Sequence, residues 1–146
     1  MKSNMISGRV IEIEPDAQYQ GSIYTQTVTV KISNNLIELF DGTVPVVSKE
    51  HLNEDVWLQI KAQVKSLEKI EQEDVHEIRK SGDDFEITGE VTEIEKNDQQ
   101  LVLLVDVGDG TIELEVSKNM NILLDNLSIG DTILIESYRL DLIDIN

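Results

Sequence analysis

Five carboxylates in the C-terminal half of the chain, Glu93, Glu95, Asp106, Glu113 and Glu115, alternate with apolar residues. Two aliphatics, Val102 and Leu104, fall in phase with them. Side chains two apart on a strand share a face, so the pattern predicts an acidic surface with an apolar centre. The charge of the whole chain points the same way. Residues 85–146 carry three basic against 14 acidic residues, and residues 1–84 carry nine against 15. Across the chain, 12 Lys and Arg face 29 Asp and Glu, a formal net charge of −17. Such a field draws basic partners from a distance and repels phosphates. Solubility alone is the plainer explanation of the same charge.

A second set of residues suggests the opposite chemistry. Tyr19 and Tyr24 lie in a long loop of the N-terminal half, and Lys31, Lys61 and Lys65 follow them. Aromatic platforms beside cations bind single-stranded nucleic acid, each stacked base contributing roughly 1–3 kcal/mol. Of the six aromatics (Tyr19, Tyr24, Phe40, Trp57, Phe85, Tyr138), only those two are placed for stacking. The competing reading packs their rings on the molecular rim and leaves the hydroxyls wet. Net charge disfavours a polyanion.

Signals for catalysis are few. His51 and His76 fall on a loop and a linker, and turn solvation accounts for His51 beside Glu50 and Glu54 better than a dyad does. The sequence has no nucleophile elbow, no phosphate-cradling glycine loop and no His-Glu-x-x-His run. Asp106 to Glu113 hints at a calcium loop but lacks the alternating acids an EF-hand supplies; it reads as a hairpin turn. With no cysteine, disulfides and thiolate metal sites are excluded. We expect no catalytic residue, no metal and no other cofactor.

The elements that must position these residues come in two copies. Met5 to Glu14 matches Glu86 to Glu95 at six of ten positions, and Val30 to Leu39 matches Val105 to Leu114. The register offset falls from 81 to 75, so the first copy has a longer loop between the blocks. In both first strands the inward phase slips, between Val10 and Ile13 and between Val91 and Ile94. A bulge near Gly8 and Gly89 would explain the slip. The next strands alternate cleanly: Val28, Val30 and Ile32 inward in one copy, and Leu101, Leu103, Val105 and Val107 in the other. Ile112, Leu114 and Val116 follow inward, with Glu113 and Glu115 outward.

Met120, Leu123, Leu124 and Leu127 share about a third of a helix circumference, capped by Ser117 or Asn119. In the first copy, Ser48 to Asn53 has room for one helical turn. Between the copies, Leu67, Ile70, Val75 and Ile78 fit one face of a helix, with Glu68, Glu71 and Lys80 elsewhere. That spacing predicts a helical linker.

Three strands with a bulged first one, a helix and two further strands make the order of an OB-fold. The resemblance is clearest over Phe85 to Asn146, through Gly89, Gly108-Asp109-Gly110 and Leu127 to Asp131. It is looser over Met5 to Leu67. It implies binding of oligonucleotide, oligosaccharide or protein across strands two and three.

The sequence thus predicts a mainly β chain: a first OB-like barrel over 1–66, a charged helical linker over 67–84 and a second OB-like barrel over 85–146. The expected function is non-catalytic docking of a basic protein, of the kind an inhibitor or immunity protein performs. Its candidate contacts are Val102, Leu104, Asp106, Glu113, Glu115, Glu93 and Glu95. Single-stranded nucleic-acid binding at Tyr19, Tyr24, Lys31, Lys61 and Lys65 is the alternative. No apolar run approaches the roughly 18 residues of a membrane span, and a cytoplasmic location is expected.

Overall fold

The computed structural model describes residues 4–42, 45–71, 76–96, 100–117 and 126–146, apart from the side chains of 17–19, 22–24 and 117. Among the described residues nine strands run in chain order: β1 (Ile6–Tyr19), β2 (Ser22–Ile32), β3 (Asn35–Asp41), β4 (Asp55–Ile70), β5 (Glu77–Ser81), β6 (Asp84–Lys96), β7 (Gln100–Asp106), β8 (Thr111–Ser117) and β9 (Thr132–Ile145). A 3-10 turn, Lys49–His51, precedes β4, as the short Ser48 to Asn53 connection requires. No helix among the described residues is long and apolar enough to cross a membrane.

All nine strands join one mixed sheet in the order β1-β2-β3-β9-β4-β8-β7-β6-β5, with β1–β4 and β9–β6 also paired. These pairings close two circuits of five strands. One runs β1-β2-β3-β9-β4 and back to β1; the other runs β6-β7-β8-β4-β9 and back to β6. Both use β4 and β9, which pair antiparallel from Leu58↔Ile145 to Ile70↔Thr132. The first half of β4 completes one circuit against β1, and its middle, Lys61–Gln63, runs parallel to β8 in the other. β9 does the reverse, meeting β6 through Thr132–Ser137 and β3 at Asp141.

The long shared strands explain why the helical linker does not form. Leu67 and Ile78, predicted on one helix face, are buried in the sheet. Leu67 to Ile70 complete β4 against Ile135 to Thr132, and Glu77–Ser81 form β5 against β6. A helix over 67–70 would strip the start of β9 of its backbone partners on the β4 side, and buried N–H and C=O groups are costly to leave unpaired. Val75 lies outside the described residues. So do Met120, Leu123 and Leu124 of the predicted short helix, whereas Leu127 packs half-buried against the core.

The inward rows hold. Val28, Val30, Ile32, Leu101, Leu103, Val105, Val107, Ile112, Leu114 and Val116 are all buried. They belong to one continuous apolar cluster with Leu58, Ile60 and Ala62 of β4 and Ile133, Ile135 and Leu140 of β9. The bulges exist but sit further along than expected, between Val10 and Glu12 and between Val91 and Glu93. Ile11 and Thr92 are thus the extra residues, and both are exposed. The glycines have another task, since each is buried where a side chain would collide. A Cβ on Gly89 would lie 2.5 Å from the Asp106 carbonyl oxygen, and one on Gly8 3.1 Å from Leu58 Cδ1.

Candidate functional site

Cross-strand register assembles the site. On β6, β7 and β8, Glu93 stands opposite Leu104 and Leu104 opposite Glu113; one step along, Glu95, Val102 and Glu115 form a second row. Directly opposed residues share a face and lie close enough to interact. The inward neighbours Leu101, Leu103 and Val105 are buried, so this row faces out, with Val102 and Leu104 half-buried between the acids. Strands lie about 4.8 Å apart, so the β6 and β8 carboxylate rows flank the aliphatic pair at roughly 10 Å from one another. Asp106 continues the face and accepts the Gly108 N–H at 2.8 Å, closing its own turn. All seven residues predicted for the acidic surface therefore share one sheet face.

The register also places Lys61, predicted to serve with Tyr19 and Tyr24, on this face. The parallel register sets Lys61 opposite Glu113 and Gln63 opposite Glu115. Its Nζ lies 2.6 Å from Glu115 Oε2 and 3.8 Å from Glu113 Oε2. The Glu115 hydrogen bond is the main cause that raises the Lys61 pKa above 10.5, partial burial opposes it, and the charges of Glu115, Glu113 and Asp141 add to the rise. The outward positions of β4 were readable from its alternation; the parallel partner strand was not.

Beyond β4 the face becomes mixed in charge. Gln63 Nε2 donates to Asp141 Oδ2 at 2.7 Å, Arg139 Nε donates to Asp141 Oδ1 at 2.6 Å, and the Arg139 guanidinium lies 4.3 Å from the Phe40 ring centre. The acidic character is thus bounded on one side by Lys61 and Arg139.

The other predicted cations are dispersed. Lys65 bonds Asp84 at 2.8 Å, the first cause of its raised pKa, and sits 5.3 Å from the Tyr138 ring centre. Lys31 stands on β2 opposite Arg9 and Leu36. The side chains of Tyr19 and Tyr24 lie outside the described residues. Lys31, Lys61 and Lys65 therefore do not form one basic groove.

Concavities among the described residues border the N-terminal strands β1 and β2. A polar one of about 250 Å³ is lined by Ser7, Gly8, Arg9, Lys31, Ser33, Asp55 and Asp109. In it Arg9 is bound through Nε and Nη2 to the Asp55 carboxylate, at 2.9 and 3.2 Å. The second, of about 440 Å³, lies between the β1–β2 ribbon and the segment Pro45 to Leu52. That segment is tied down by the Asp41 carboxylate, which accepts the backbone N–H groups of Val46 and Val47 at 2.9–3.0 Å. Gln26 Nε2 donates to Asp41 and to the Val47 carbonyl, at 2.7 and 2.8 Å. His51 Nδ1 accepts the Ser48 N–H at 3.0 Å, so this histidine closes a turn.

No protein-family model matches the chain, and no curated protein matches it. Among solved structures, the fold is similar to that of the cytoplasmic molybdate-binding protein ModG, crystallised with molybdate bound, with a TM-score of 0.52 at 15% identity. The likeness covers 96% of this chain and 93% of that one. At this identity the two share a fold: an OB-like, mainly β architecture running the length of both chains.

Proposed function

We propose that the chain is a non-catalytic binding protein of two OB-like modules that exchange strands through β4 and β9. Its docking surface is the outer face of β6, β7 and β8, and its partner is a basic protein. The supporting observation is the register that flanks Val102 and Leu104 with Glu93 and Glu95 on one side and Glu113 and Glu115 on the other. Carboxylates in this arrangement steer a cationic partner and fix its orientation. The half-buried aliphatics supply the apolar contact that holds it. A binding role also agrees with the molybdate binding of the ModG neighbour. An inhibitor or immunity-type protein is one concrete form of this reading.

Surface plasmon resonance with an amphipathic Leu/Lys peptide as probe tests it. Glu113→Lys with Glu115→Lys lowers the on-rate at least tenfold at low salt and flattens its salt dependence. Unchanged rates in the double variant would remove this face as the docking surface.

A second reading rests on the polar concavity. Arg9, Lys31, Ser7 and Ser33 line it, donors suited to a small oxyanion, and molybdate is the ligand of the structural neighbour. It ranks second because Asp55 already occupies Arg9 and Asp109 adds a further carboxylate. Titration calorimetry with molybdate, on the wild type and Lys31→Ala, separates it from the first reading. Single-stranded nucleic acid ranks lower again, because Lys61 and Lys65 are engaged by carboxylates.

A further inference from the structure

We propose that the 440 Å³ concavity between the β1–β2 ribbon and the segment Pro45 to Leu52 is a binding site for a small apolar molecule bearing one carboxylate. It is independent of the acidic face. Its size falls within the range of small-molecule sites and is about three times the cavity that accommodates benzene. Ile13, Pro15, Val47 and Leu52 give it apolar walls, and Gln26 is the buried polar group among them.

Charge selects the head group. Among the described lining residues there is no carboxylate and one cation, Lys49, in a chain with 29 acidic residues. Lys49 is exposed, and its amine makes no ion pair among the described residues, whereas Lys61, Lys65, Lys69 and Lys80 all do. The acid behind the wall, Asp41, already accepts Val46 N–H, Val47 N–H and the Gln26 amide, so it has little left to offer a cationic ligand. An apolar body inserted along Ile13 and Leu52 leaves its anionic end at the Lys49 rim.

The walls are also held in place. Gln26 and Asp41 are 2% and 1% exposed, and their bonds fix the Val47 backbone, which forms one side of the site. A fixed wall lowers the ordering cost that a ligand would otherwise meet.

The test uses 4-phenylbutyrate, its primary amide and 4-phenylbutylamine, titrated into the ¹⁵N,¹³C-labelled full chain by NMR. We expect saturable shifts at the methyl groups of Ile13, Val47 and Leu52 with the carboxylate. The amide binds at least fivefold more weakly, and the amine more weakly still. Lys49→Met, at an exposed position, removes the preference for carboxylate over amide and leaves amide binding unchanged. Equal binding of the three probes, or shifts elsewhere with these methyls silent, would overturn the proposal. Preference for the amine would do the same and would assign the concavity to the cationic partner of the acidic face. The Glu113→Lys, Glu115→Lys variant provides the separation: it abolishes peptide steering and leaves 4-phenylbutyrate binding intact.

Discussion

The paired residues Gln26 and Asp41 on β2 and β3 occupy the place that Leu101 and Val116 take on β7 and β8. All four are buried. In one half the position is a hydrogen-bonded polar pair that ties down a loop; in the other it is an aliphatic contact. The outer faces diverge as well. Thr27, Thr29 and Lys31 stand where Val102, Leu104 and Asp106 do, opposite Phe40, Glu38 and Leu36 rather than Glu115, Glu113 and Thr111. The same strand lattice thus carries a ligand-sized concavity in one half and an acidic, apolar-centred face in the other. Backbone pairing fixes the lattice, and side chains at matched positions decide what each half can touch.

The sharpest way to break that comparison is Asp41→Val, which imports half of the aliphatic pair. It leaves the Val46 and Val47 N–H groups and the Gln26 amide without their acceptor in a buried place. We expect a loss of about 3 kcal/mol or more, read from urea unfolding. Adding Gln26→Leu removes the stranded amide and recovers part of that loss, while the 45–48 backbone stays untied and its amide hydrogens exchange faster. A cost below about 1 kcal/mol for Asp41→Val would show that the polar pair holds nothing.

The glycines differ between halves in degree. Gly89→Ala meets the Asp106 carbonyl oxygen, a backbone atom, and Val105 Cγ1 at 2.5 Å; Gly8→Ala first meets the end of a Leu58 side chain at 3.1 Å. Side chains yield more readily than backbone. Overpacking costs of about 2–3 kcal/mol and about 1 kcal/mol are expected for Gly89→Ala and Gly8→Ala respectively. Thermal denaturation of the two variants gives the order, and a reversed order would mean that β6 can shift away from β7.

Much of this lattice could be read directly from the residues. The matched blocks at Gly8 and Gly89, the inward rows and the outward acids all follow from a period of two. The bulges were signalled by the phase slip, yet placed at the glycines, because a glycine suits a bulge and a close approach equally well. The sharing of β4 and β9 by both strand circuits was not legible. Leu58, Ile60, Ala62 and Leu67 alternate in the same way whichever strand lies beside them, and the β9 partners are more than 60 residues away. Leu67, Ile70 and Ile78 also satisfy helical spacing, so pattern alone could not choose. Missing that shared pair displaced Lys61 and Lys65, whose neighbours on β8 and β9 depend on it. The concavity was illegible for a related reason, since β1, β2 and the 45–52 segment meet only once folded.

Two aspartates at the starts of the shared strands, Asp55 as the first residue of β4 and Asp131 just before β9, give a finer contrast. Both carboxyls are held below 3.8, Asp55 first by the hydrogen bond from Arg9 and Asp131 first by the Ser128 backbone N–H. Lys69 adds a weaker pull on Asp131 at 3.3 Å. Because the folded values are depressed, each contribution to stability is fully present above the unfolded value near 3.8. It is lost as pH falls through the lower folded value. Salt separates them. The Arg9–Asp55 pair is exposed and screened, whereas a backbone donor is not a mobile charge. Carboxyl-carbon NMR titration in 1 M NaCl moves Asp55 towards its ordinary value and moves Asp131 less. Equal movement would place the Asp131 shift on Lys69 instead.

The smallest effect on stability is expected at Lys61, where the effect on docking has the opposite sign. The Lys61–Glu115 bridge is only partly buried, with side-chain exposures of 28% and 35%, and bridges of this kind contribute roughly 0–1 kcal/mol. Lys61→Met keeps the aliphatic stem over the sheet and deletes the charge, so unfolding changes by less than about 1 kcal/mol. Raising the pH is a poor substitute for this variant. The Lys61 contribution is fully present below its unfolded value of 10.5 and disappears only as pH rises through the still higher folded one. Deleting the charge frees Glu113 and Glu115 to face a partner, which raises the on-rate of the Leu/Lys peptide two- to threefold at low salt. Glu113→Lys with Glu115→Lys lowers the same rate. If Lys61→Met slows association instead, Lys61 is a contact and not a clamp, and the docking surface must be redrawn to include β4.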